Sequence, residues 1–106
     1  MNTIWRIENK EGIGPYQGNI DSFELNEMMH SHNRDDTKPV VCEDKGIMRY
    51  PEQDEICGFE DMHQVKSWFT REELIALYKG GYNLRRIEVS VITAQSSSQL
   101  LAIKRG

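Results

Sequence analysis

Apolar and polar positions along this 106-residue chain change period several times, and each change marks an element. Thr3-Ile4-Trp5-Arg6-Ile7-Glu8-Asn9 alternates, with Trp5 and Ile7 on one face and Arg6 and Glu8 on the other, as in a strand with one wet side. Gly12, Gly14-Pro15 and Gly18 then interrupt the pattern with turn chemistry. Asp21 and Glu24 have capping-box spacing, with aspartate in the Ser/Thr position. Leu25, Met28 and Met29 follow at helical spacing, which predicts a short helix over about 22–29. His30 to Gly46 is polar and turn-rich and reads as one long loop, a kind of segment that is often functional.

The second half has sharper periods. Ile47–Tyr50 reads as a short strand, Pro51–Asp54 as a turn and Glu55–Phe59 as a short buried strand. Asp61 can cap a helix whose stripe is Met62, Val65 and Phe69, with Trp68 beside it. Thr70-Arg71-Glu72-Glu73 is a capping box for the next helix, which Leu74, Leu77 and Tyr78 make amphipathic and Gly80-Gly81 ends. Ile87, Val89 and Val91 alternate with Arg86, Glu88 and Ser90; Ala94–Ser98 reads as a turn and Gln99–Lys104 as the return strand. These elements predict an α+β fold, a small antiparallel sheet with two or three helices packed on one face, in one domain spanning residues 1–106. The predicted core is Trp5, Ile7, Phe59, Val65, Trp68, Phe69, Leu74, Leu77, Ile87, Val89 and Val91.

Charge adds an asymmetry. The net −4 conceals 6 basic and 14 acidic residues over 1–61, against 7 basic and 3 acidic over 62–106. No apolar run approaches the roughly 20 residues that span a bilayer, and no secretory signal pattern opens the chain. The acidic balance argues against general nucleic-acid coating, so nucleic acid is an unlikely partner. Two cysteines make no disulfide framework.

Candidate chemistry is thin. His30, His32, Asp35, Asp36, Cys42, Cys57 and His63 are metal-ligating types, but their spacing lacks the paired motifs that surround zinc, so no metal is expected. Cys42 precedes Glu43 and Asp44, which disfavour a thiolate nucleophile. Gly12-Ile13-Gly14-Pro15 lacks the lysine and hydroxyl of a phosphate loop. The helix opening at Thr70 follows another, as in a helix-turn-helix, but Glu72 and Glu73 stand where phosphates would approach. Arg85, Arg86, Lys104 and Arg105 give the C-terminal hairpin a small basic patch, the basis for a weak nucleic-acid reading. The acidic stretch carries the most weight. Asp35, Asp36, Glu43, Asp44, Asp54 and Glu55 are the candidate contacts for a partner with a basic surface, reached by charge mimicry.

Trp5-Arg6-Ile7-Glu8, Gly14-Pro15-Tyr16, Cys57-Gly58-Phe59, Trp68-Phe69 and the strand opening at Gln99 together resemble a group of small phage and prophage proteins. The pattern of that group runs Y-R-I-E, G-P-Y, P-x-x-D-x-G, C/F-G-F and W-F. Here Trp5 replaces the tyrosine, and the Pro39–Gly46 segment is longer than its counterpart by two residues. The resemblance implies a phage accessory protein in the bacterial host cytoplasm that binds a host protein and inhibits or redirects it, for instance a defence component. No catalytic residue and no cofactor are expected on that reading. Arg6, Tyr16 and Gln99 also resemble, loosely, the ADP-ribosyltransferases, which bind NAD between small sheets. On that alternative the three are ligand-binding residues, with Gln99 standing where the catalytic glutamate belongs.

Overall fold

The structure is a computed structural model, and it describes residues 2–16 and 23–105. The elements run β1 (Asn2–Glu8), α1 (Phe23–Asn33), β2 (Glu55–Gly58), α2 (Met62–Trp68), α3 (Arg71–Lys79), β3 (Asn83–Gln95) and β4 (Leu100–Lys104). Four antiparallel strands in the order β1-β3-β4-β2 and three helices make the α+β fold that the periodicity predicts.

The sheet curls until its two edges meet. β1 pairs along β3 from Asn2↔Val89 to Glu8↔Asn83. At the other edge Phe59, just after β2, exchanges both backbone hydrogen bonds with Trp5 of β1, each 2.8 Å. Gly58 makes this approach feasible: a Cβ there would lie 2.6 Å from Ile4 Cδ1 and 2.9 Å from the Trp5 carbonyl.

Curling creates two cores. Ile7, Phe59 and Tyr82 pack with Leu25 and Met28 of α1, Val65 and Trp68 of α2, Leu77 of α3, and Phe69. A second cluster, Ile4, Val89, Leu100 and Ala102 with Ile56, Ile87 and Ile92 around it, draws on strands alone. The helices therefore cover one face of the sheet, while the other folds in on itself. Strand alternation places Arg6 and Glu8 on the same face as Ile4. The side predicted to be wet is accordingly buried, with Arg6 at 6% exposure and Glu8 at 2%.

Several local expectations change. α1 extends four residues past its predicted end, to Asn33, so His30 and His32 are helical rather than part of the loop. Its predicted cap, Asp21, lies outside the described residues, as does the Glu24 side chain. Ile47–Tyr50 is irregular backbone, not strand, with Met48 at a positive φ of 58°. β3 runs on to Gln95, through part of the predicted turn. Val91 is exposed because bulges interrupt β3 between Val89 and Val91 and between Ile92 and Ala94, which resets the alternation and turns Ile92 inward. The capping signals of α2 and α3 hold as read: Asp61 caps α2, and Thr70 with Glu73 forms a full capping box on α3, whereas Tyr78, expected on the apolar face of α3, is exposed.

Candidate functional site: a braced cavity

A cavity of about 390 Å³ opens where β1, the Gly14–Tyr16 loop, the end of α1, the 38–41 segment and the Trp68-Phe69 corner meet. Arg6, Tyr16 and Gln99 all line it. Sequence spacing gives no hint that the three converge; the curled sheet brings them together.

Each is braced. Arg6 donates from Nε to Glu8 (3.1 Å), from Nη1 to the Cys57 carbonyl (2.6 Å) and from Nη2 to the Gly12 carbonyl (3.3 Å). Gln99 donates from Nε2 to the Pro39 carbonyl (2.7 Å) and to Asp44 Oδ2 (3.0 Å), fastening the 39–44 segment to the start of β4. Tyr16 belongs to a chain of four side chains. Trp68 Nε1–H donates to the Tyr16 hydroxyl (2.9 Å), which lies 2.6 Å from His32 Nδ1, and His32 Nε2 lies 2.8 Å from Glu73 Oε2. An indole only donates and a carboxylate only accepts, so with a neutral His32 the direction is fixed throughout. Tyr16 donates to Nδ1, and His32 holds its proton on Nε2. The other Glu73 oxygen accepts the Thr70 N–H of the capping box, so one carboxylate both caps α3 and orients His32.

Burial dominates the electrostatics of this chain. It lowers the His32 pKa below 6.5 despite the Glu73 carboxylate, and it drives the Tyr16 hydroxyl above the usual tyrosine range. The relay is therefore neutral imidazole and neutral phenol, a positioning device. The Tyr16 ring lies near-parallel to Phe69, with centroids 6.4 Å apart. Cys57, also in the wall, has its thiol pushed up by burial and so is poor in thiolate.

The acidic candidates divide into two sets. Asp44 is 5% exposed and accepts from Gly46 N–H (3.0 Å), Ser96 Oγ (2.7 Å) and Gln99. Glu55 accepts a bidentate pair from Arg49 (2.6 and 2.8 Å), the Glu52 N–H and the Thr93 hydroxyl, which hold its carboxyl down at about 2. Asp35 pairs with Lys38 at 2.6 Å and accepts from Thr37. Asp36, Glu43 and Asp54 are exposed. In the C-terminal hairpin, Arg85 and Lys104 approach Glu8 at 3.7 and 3.8 Å, Arg105 pairs with Glu88, and Arg86 stacks over Trp5. No three His, Cys, Asp or Glu side chains gather as a metal site among the described residues.

Sequence reasoning weighed His32 as a metal-ligating type and Glu73 as a cap, not as a pair. The signal for His32 was available, because Leu25, Met28 and His32 fall at i, i+3 and i+7, one helical stripe. Nothing in the spacing marks Glu73 beyond its cap.

The family model of the bacteriophage T4 Y00F protein matches residues 1–105. The chain belongs to this family. The expected relation to small phage proteins is thereby met, and with it the coarse reading of a phage accessory protein. No curated protein and no solved structure matches the chain. No helix among the described residues is long and apolar enough to cross a membrane.

Proposed function

We propose that this phage protein works by binding in the host cytoplasm, and that the cavity is its working site for a small ligand. One observation carries the reading. Three residues distant in sequence, Arg6, Tyr16 and Gln99, end on the wall of a single cavity of about 390 Å³, inside the roughly 300–1,000 Å³ of ligand sites. Buried and part-buried hydrogen bonds hold each in place, as a preorganised site requires. The transferase-like alternative uses the same cavity but asks a carboxylate of position 99. The Gln99 amide instead braces Pro39 and Asp44, which favours binding over group transfer.

The test uses the two tryptophans. Trp5→Phe leaves Trp68, in the cavity wall, as the sole indole reporter. Val40→Phe obstructs the cavity from an exposed position without adding an indole, and the Val40 carbonyl that accepts from Glu43 and Asp44 is unaltered by it. The small-molecule fraction of a bacterial extract is expected to shift Trp68 emission in Trp5→Phe and not in the double variant. Equal responses, or none in either, contradict the reading.

A second reading is favoured by the division of the acids. Asp44 and Glu55 pin the backbone while Asp36, Glu43 and Asp54 project from it, a preorganised display for a basic host protein that the phage protein would inhibit or redirect. Reversing these three to lysine is expected to abolish capture of that partner. Capture that survives both the reversal and high salt contradicts charge mimicry.

A further inference from the structure

We propose that the cavity takes a planar ring bearing one anionic group, a phosphate or a carboxylate. The proposal rests on the cavity being a ligand site and adds the class of ligand. Two features of the wall point to it.

The first is aromatic. Phe59, Trp68 and Phe69 line the cavity and pack on one another, with centroids 5.6 Å apart for Phe59–Trp68 and 6.1 Å for Phe59–Phe69. The rings meet at 60° and 83°, a rigid apolar wall of faces and edges, and a rigid planar ligand has less entropy to lose on it than a flexible chain.

The second is charge. Among the described residues the lining holds Arg6 and Lys38 and no aspartate or glutamate. Arg6 has five N–H groups, and its protein acceptors are Glu8 and two backbone carbonyls, so each terminal nitrogen retains an N–H beyond those bonds. Glu8 is moreover shared: Arg85 and Lys104 also approach it, at 3.7 and 3.8 Å. One carboxylate is thus shared among three cations and offsets the Arg6 charge only in part. A guanidinium that is 6% exposed sits where screening by water is weak, so an anion gains more there than at the surface. Lys38, held by Asp35 at 2.6 Å, brings a second cation to the wall.

Titration calorimetry on the full chain tests the proposal with two matched pairs and a ringless control. Adenosine 5′-monophosphate against adenosine reports phosphate, 2-naphthoate against 2-naphthamide reports carboxylate, and inorganic phosphate reports the anion alone. At least one ring anion is expected to bind about tenfold or more tightly than its neutral counterpart, the equivalent of one charge-assisted hydrogen bond. Lys38→Gln is expected to weaken that preference. Val40→Phe is expected to block both members of a pair. Neutral members binding as tightly as their anions, or phosphate as tightly as the nucleotide, overturns the ligand class and leaves the cavity as a site. Binding that persists in Val40→Phe overturns the cavity reading beneath it. Absence of binding by every compound at millimolar concentration overturns the proposal.

Discussion

Asp44→Asn separates a carboxylate that holds the fold from one that meets a partner. In the wild type Asp44 Oδ2 accepts from Ser96 (2.7 Å) and Gln99 (3.0 Å) while Oδ1 accepts from Gly46 (3.0 Å). The substitution keeps the shape but turns one acceptor into an amide donor. If that donor occupies the Oδ2 position it faces the Gln99 amide N–H and a Ser96 hydroxyl oxygen that already accepts from the Ser98 and Gln99 N–H groups, and in the flipped orientation it faces the Gly46 N–H. At 5% exposure, water offers little compensation. Leaving a buried donor unsatisfied costs about 1–3 kcal/mol, and about 2 kcal/mol lowers the melting temperature of a domain near this size by roughly 8–16 °C. The pH dependence supplies a second readout. Burial works to raise the Asp44 pKa, but the three hydrogen bonds outweigh it and the net shift is below 3.8. A depressed carboxyl stabilises the fold fully above its unfolded value and loses that contribution as pH falls through the folded one. The gap between wild type and variant in thermal unfolding, followed by circular dichroism, is therefore widest at pH 7 and narrows below about 3.8. A variant that melts within about 3 °C of wild type at pH 7, the range of ordinary surface changes, refutes the reasoning.

Gly58→Ala places a Cβ 2.6 Å from Ile4 Cδ1 and 2.9 Å from the Trp5 carbonyl, so the seam between β1 and β2 must open. Overpacking of this kind costs about 1–3 kcal/mol, and fast amide exchange at Trp5 and Phe59 is the expected sign; unchanged protection there contradicts the closed sheet. His32 is expected to titrate below 6.5 by NMR, since burial outweighs Glu73 and Asp35, which raise it, while Lys38 adds to the lowering. Because the folded form holds the neutral imidazole, stability is full above about 6.5 and declines as pH falls through the folded value; a midpoint above 6.5 contradicts the relay as drawn.

The fold class and the second-half helices were legible because their signals are local. Asp61, Thr70 and Glu73 cap through bonds three residues away, and Gly81 ends its helix at a positive φ of 93°. The inner core was not legible, since closing the sheet is a long-range event. Ile4, Arg6 and Glu8 alternate as a solvated strand face would, and the long-range Trp5–Phe59 bridge closes the sheet over that face. Val91 was misplaced for a related reason, because a bulge leaves no mark in a run of alternating residues. The candidate triad was named from resemblance, and what joins it is geometry that spans 93 positions from Arg6 to Gln99. His32 fell inside a polar run that reads as loop, although its helical stripe was present. Charge counting located the acids but not their state, since an aspartate that staples a segment and one that projects from it look alike in sequence.

Amide chemical-shift mapping with adenosine 5′-monophosphate and with 2-naphthoate tests the central claim most directly. The account predicts, for at least one of them, shifts confined to the cavity wall, at Arg6, Tyr16, Lys38, Val40, Phe59, Phe69 and Gln99 and at the Trp68 indole N–H. Shifts centred on Asp36, Glu43 and Asp54, or on Arg85 and Arg86, or no shifts with either ligand, would contradict it.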